Sequence, residues 1–283
     1  MLNDWKFYII SYLIVSVLFN QSSKLITNNM KNDGAITILI QLFASIICIL
    51  LIPLFEFKFP TDYRVYLFLF LSIIFYTLND RLGTTARKGL EASTYIILKQ
   101  LSTVFMILAG IFFFKEPFIL NKIIGALLIV FSNILVFYKK NNFKFNKYLI
   151  LGILANISLA IALFLDVNYS NEFNLSFYIL LTFLIPSILI FIFERIKLKS
   201  IIIEYKNSNK LILFTTSISW ALMMITKLKS YQLGSVLVVA TLSSLTVILT
   251  VIISYFFLKE KDNLIKKIIA AILIIIGILL IKI

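Results

Sequence analysis

Ten apolar stretches, each close to the length that crosses a bilayer and joined by short polar connections, constrain this chain more than any other feature. Some 30 Å of hydrocarbon at 1.5 Å per residue requires about 20 residues of helix. The stretches run over residues 5–25, 35–55, 63–86, 92–114, 118–138, 148–167, 175–193, 210–229, 235–258 and 264–281. Of the 283 residues, 61% are hydrophobic and 14% charged, more apolar surface than a water-soluble domain of this length can bury. The expected fold class is therefore all-α integral membrane, because helices satisfy their own backbone polar groups within hydrocarbon. The longest connection, residues 194–209, carries the apolar patch from Ile201 to Ile203 and reads as a short interfacial helix. The first stretch ends in Asn20, Gln21, Ser22, Ser23 and Lys24 with no small-residue cleavage site, so it reads as a retained span.

Reactive side chains are few. The chain has no His, which excludes His bases, His metal ligands and Ser/His/Asp triads. Its single Cys48 lies in an apolar run and reads as a small lipid-facing or packed residue. The formal charge of +14 sits mostly in the connections and forms no basic domain, so anionic lipid headgroups, not nucleic acid, are the expected partner. No cofactor, metal or catalytic residue is expected.

An internal repeat organises the whole chain. Leu101-Ser102-Thr103-Val104 followed by Phe112-Phe113-Phe114-Lys115-Glu116 matches Leu245-Thr246-Val247-Ile248 followed by Tyr255-Phe256-Phe257-Leu258-Lys259-Glu260 at an offset of 144. After each Lys-Glu pair, Lys122-Ile123-Ile124-Gly125-Ala126-Leu127-Leu128-Ile129 matches Lys267-Ile268-Ile269-Ala270-Ala271-Ile272-Leu273-Ile274 at 145. The chain thus divides into five-helix halves, residues 1–140 and 147–283. Because five is odd, the second half enters the bilayer from the opposite side, giving two inverted five-helix repeats that together form one transport domain.

Five plus five spans, the repeated Lys-Glu pair and the following Ile-Gly-Ala-Leu-Leu-Ile run resemble the ten-helix drug/metabolite transporter superfamily, in particular its EamA-type members. The proline usual within spans four and nine of that type is missing here, with Ser102, Thr103 and Thr246 in its neighbourhood. The run Leu90-Glu91-Ala92-Ser93-Thr94-Tyr95, then Leu98-Lys99-Gln100-Leu101, is similar to the nucleotide-sugar branch. The resemblance implies that spans one to four and six to nine surround a central cavity while spans five and ten lie behind it. It also implies a multi-pass protein of a cell membrane, a bacterial inner or plasma membrane. The chain agrees independently: spans five and ten are almost purely aliphatic, and the internal polar residues fall in spans one, three, four, six, eight and nine.

Charged groups inside spans cost about 2.5 to 3.5 kcal/mol each on insertion scales, which makes each a functional candidate. Lys99 lies seven residues into span four, about 10 Å deep, beside Gln100. Asn79, Asp80 and Arg81 occupy the last third of span three, either to bind substrate or with Asp80 neutralising Arg81 or Lys99. Asp166 ends span six and matches Gln21 at offset 145; it is a proton-coupling or substrate site, or a loop residue at the membrane edge. Gln21 and Trp220 join the substrate-binding candidates, Trp220 by stacking or by simple helix packing. Lys227 reads as an interfacial anchor, and Glu116 and Glu260 as caps on the helix that follows each.

The function expected is a secondary transporter, an exporter, moving a small polar metabolite such as an amino acid by alternating access. A phosphorylated, nucleotide-sugar-like or lipid-linked cargo is the alternative. A membrane enzyme or a channel stands outside that class; the first would need clustered acids or a His base and the second a filter or charged ring. Monomer and homodimer both remain open. With Arg81, Lys99 and Lys227 set aside as intramembrane, the connections after odd-numbered spans hold 17 Lys and Arg, against seven at the termini and after even-numbered spans. That balance puts both termini outside the cytoplasm, whereas the resemblance implies both inside.

Overall fold

The computed structural model describes residues 4–102, 104–105, 120–139, 142–143, 146–234, 239 and 242–282. Among them run α1 (Trp5–Asn28), α2 (Asp33–Leu51), α3 (Tyr63–Gly89), α4 (Ala92–Lys99), α5 (Leu120–Phe137), α6 (Lys147–Tyr169), α7 (Leu175–Phe193), α8 (Leu198–Asn207), α9 (Lys210–Leu233), α10 (Leu245–Phe257) and α11 (Leu264–Lys282). Six of these, α1, α2, α3, α6, α7 and α9, are long and apolar enough to cross a membrane. The helices α4, α5, α10 and α11 fall on the other four apolar stretches, and α8 forms the short helix of the longest connection. One described feature is not helical: β1 (Tyr138–Lys139) pairs antiparallel with β2 (Asn142–Phe143) in the segment between the halves.

Each of the six long helices starts at a side chain that accepts a backbone N–H of its first turn. Asp4 takes that of Lys6, Asn32 that of Ala35 and Asp62 that of Arg64. In the second half Asn146 takes that of Leu149, Asn174 that of Phe177 and Asn209 that of Ile212. Such a cap is worth about 1 kcal/mol in water and satisfies donors that lipid could not. The pattern is the same in the two halves: caps on the first, second and third long helices.

The fourth apolar stretch of each half is interrupted at a matching place. Helix α4 ends at Lys99 with Gln100 in a turn, and α10 begins at Leu245 after a turn at Ser244, again 144 residues apart. The cap of α4 also differs. Glu91 makes no side-chain cap; instead Glu260, from the connection between α10 and α11, accepts the N–H groups of Ala92 and Ser93 and the hydroxyl of Ser93. Glu260 therefore caps a helix of the other half and not the one that follows it, because its side chain reaches an open N-terminus that has no cap of its own. Glu116 lies outside the described residues.

Packing links the halves in pairs: α1 with α9, α2 with α7, α3 with α6, α4 with α10 and α5 with α11. Exchanging the two halves maps this set onto itself. One core unites residues of α1, α2, α3, α6, α7 and α9, including the packed Cys48, and a second unites α4, α5, α10 and α11. In the α5 and α11 pair the carbonyl of Gly125 would lie 2.6 Å from a Cβ on Gly277, so this close approach needs glycine.

Contacts between connections join ends of like parity, as an up-and-down arrangement requires. After odd-numbered spans, Glu204 accepts the N–H groups of Lys31 and Asn32, Glu91 pairs with Lys267, Arg81 with Glu194, and Glu260 holds α4. After even-numbered spans, the Asn174 amide donates to the carbonyls of Ile52 and Phe55, and Lys58 donates to that of Asn171. Every one of these contacts joins one half to the other.

Candidate functional site

A cavity lies between the halves, lined by Phe19 of α1, Tyr76, Asn79, Asp80 and Arg87 of α3, Tyr95 and Lys99 of α4, Leu159 of α6, Phe183 of α7, and Trp220, Met223 and Met224 of α9. Its volume of about 30 Å³ holds roughly two waters. Contacts between the halves lie at both ends of the bundle.

The lining is built by the repeat. Tyr76, Asn79 and Asp80 of α3 stand 144 residues before Trp220, Met223 and Met224 of α9, and all six face the same space. On a helix these positions share one face, since three and four residues span about one turn. Arg87 continues that face of α3 seven residues beyond Asp80, about two turns on.

The polar wall comes from α3 and α4. Asp80 is buried, and its two oxygens accept from Gln41 Nε2 at 2.9 Å and Asn79 Nδ2 at 2.8 Å. Gln41, on α2, is itself fully buried and stands behind the lining. Arg87 is half-buried, its guanidinium 4.2 Å from the Tyr95 ring centroid and 5.1 Å from that of Phe19. Lys24 fixes the end of α3 around it by donating to the carbonyls of Arg87 and Lys88 at 2.9 and 3.2 Å. Lys99 is half-buried at the last residue of α4, where the carbonyl end of the helix dipole favours a cation. The apolar wall faces it: Trp220 stacks on Phe19 at 5.5 Å and leans on Phe183 at 4.9 Å between centroids.

Of the residues singled out by sequence, Lys99, Asn79, Asp80 and Trp220 line this cavity. Others lie elsewhere. Arg81 pairs with Glu194 and donates to Thr85 at the odd end of α3, so Asp80 does not neutralise it. Gln21 donates to the Thr250 carbonyl and Ser254 hydroxyl, bridging α1 to α10. Gln100 is buried beside Lys99 and outside the lining.

Asp166 is no loop residue: α6 continues to Tyr169, and the carboxylate is wholly buried. It accepts from Ser72 at 2.8 Å, from Tyr178 at 2.6 Å and from Tyr76. Because Tyr76 lines the cavity, one hydroxyl separates Asp166 from it. Lys227 is likewise no interfacial anchor. It is half-buried within the bundle, 5.8 Å from the Tyr12 ring centroid.

Sequence reasoning missed Arg87, Tyr76, Tyr95, Phe19, Phe183, Met223, Met224, and Gln41 behind them. The repeat offset pointed to some of these, since Trp220 projects onto Tyr76 and the pair Asn79 and Asp80 onto Met223 and Met224. Arg87 read as part of a connection because the third stretch was ended at residue 86, three residues before α3 ends.

No curated protein matches the chain in sequence. Among 22 matching chains of solved structures, a crystal structure of a protein superposes with a TM-score of 0.64 over 98% of this chain and 95% of its own, at 12% identity, which shows a shared fold. A family model matches twice, over residues 6–138 and 146–283, so that both halves are accounted for. The chain belongs to the EamA-like transporter family and is a multi-pass membrane transporter of the drug/metabolite type.

Proposed function

We propose that this chain is a secondary transporter that exports a small polar metabolite, an amino acid in the first instance, by alternating access of two inverted repeats. The observation that carries this is the cavity between the halves, with charged and apolar lining residues, together with contacts that join the two halves at both ends of the bundle. Such contacts are the kind that break on one face and form on the other when repeats rock about a central site. Ten membrane crossings complete the reading, with α4 and α10 as interrupted helices beside the cavity. A phosphorylated cargo is the second reading, supported by the two cations of the polar wall. The experiment is counterflow in proteoliposomes with a radiolabelled amino acid mixture. A carrier shows stimulation by unlabelled amino acid on the far side, and its absence with every amino acid tested contradicts the reading.

Asp166 takes the proton-coupling role in this proposal. Groups facing it are Ser72, Tyr76 and Tyr178 in contact, and Lys227 from α9. A carboxylate that accepts from three hydroxyls loses an acceptor site when it takes a proton, which loosens the contact between α3, α6 and α7.

Orientation follows charge. The connections after odd-numbered spans hold 17 Lys and Arg against seven on the other side, a balance that favours termini outside the cytoplasm. In a Cys48→Ala background, Asn142→Cys should then resist an impermeant thiol reagent in intact cells. Ready labelling there reverses the orientation.

A further inference from the structure

We propose that Arg87 and Lys99 form an anion subsite that takes the carboxylate or phosphate of the transported molecule, with Arg87 setting that specificity. The inference rests on the cavity being the transport site.

Both cations line the cavity, and among the described residues neither donates a hydrogen bond to any acceptor. Of the acids that stand near them, Glu260 holds the N-terminus of α4 and Glu91 is paired with Lys267, which leaves Asp80, held by two neutral amides, as the one acid of the lining. The facing wall of Leu159, Phe183, Trp220, Met223 and Met224 is apolar and supplies no anion. The lining therefore holds two basic side chains and one acidic one, each partly or wholly buried, where uncompensated charge is costly. An anion entering the cavity removes that imbalance.

Arg87 is also prepared for the task. Aromatic faces of Tyr95 and Phe19, not a carboxylate, hold its guanidinium, which leaves the N–H edge of the planar group available for a forked contact. Lys99, in the last turn of α4, supplies a second cation on the lining of the same cavity. A carboxylate and a phosphate both match this pairing.

The test uses purified full-length protein in detergent and four probes that share one phenyl group: L-phenylalanine, L-phenylalaninamide, 3-phenylpropanoate and phenyl phosphate. Binding is read from the shift in melting temperature with probe concentration. At least one anionic probe should stabilise the protein while L-phenylalaninamide does not, and the better of carboxylate and phosphate names the source. Arg87→Gln and Lys99→Gln should each weaken that binding about tenfold or more, whereas Arg87→Lys and Lys99→Arg, which keep the charge, should fold and retain measurable binding. The proposal is overturned if no anionic probe binds, if the amide binds as well as the acid, or if both Gln variants bind the anion like the parent. Anion binding without counterflow would sink the carrier reading and leave the subsite standing. Counterflow of a substrate lacking an anionic group would do the reverse.

Discussion

The two halves match one family model, yet they furnish different groups to the cavity. The charged and amide side chains Asn79, Asp80, Arg87 and Lys99 all come from the first half, together with the rings of Phe19, Tyr76 and Tyr95; the second half contributes Leu159, Phe183, Trp220, Met223 and Met224. The difference is sharpest where the repeat aligns them, with Asn79 and Asp80 facing the space that Met223 and Met224 face from the other side. A duplicated scaffold fixes where side chains point, and divergence of a few positions then separates recognition of charge from recognition of apolar bulk. On this account the polar wall decides whether a molecule is carried, and the apolar wall adjusts which one.

The largest effect should come from the polar wall. Lys99→Ala is expected to reduce uptake or efflux to background at equal expression, with the protein still folded by size-exclusion profile. Wild-type transport by that variant would remove the charged wall from the mechanism. A graded loss is expected from Asp166, where the second half reaches the polar residues of α3 through Tyr76. Asp166→Asn should keep counterflow but lose the response to an imposed pH gradient, measured with a pH-sensitive dye inside liposomes. An unchanged response assigns coupling elsewhere. The smallest effect should follow Met224→Leu, a near volume-conserving change on the apolar wall. Such swaps cost less than about 1.5 kcal/mol, so KM should move by no more than about tenfold with the maximal rate preserved. A Met224→Leu defect as deep as that of Lys99→Ala would abolish the distinction between the walls.

Much of this arrangement is legible in the sequence, for physical reasons that also mark where legibility ends. Apolar stretches of bilayer length announce helices, and a lysine seven residues inside one announces a site, because its burial there is costly. Asp80 and Trp220 stand out in the same way. Arg87 does not: beside Lys88 near the end of a span it looks solvated, and only the continuation of α3 to Gly89 turns it inward. The burial of Asp166 depends on hydroxyls of α3 some 90 residues away, and the cap formed by Glu260 on a helix start 168 residues away. Such contacts come from the pairing of helices across the halves, which local pattern does not encode. Gln21 lies outside the cavity lining for the same reason, its amide N–H groups donating to Thr250 and Ser254 on α10.

The central claim is that the polar wall is exposed alternately to the two faces of the membrane. Sealed proteoliposomes carrying Asn79→Cys in a Cys48→Ala background test it directly, with an impermeant thiol reagent applied from one face and then from the other. The account predicts labelling of the cysteine introduced at position 79 from both faces, slowed from both by a transported substrate. Labelling from one face only, or equal labelling with and without substrate, would contradict it.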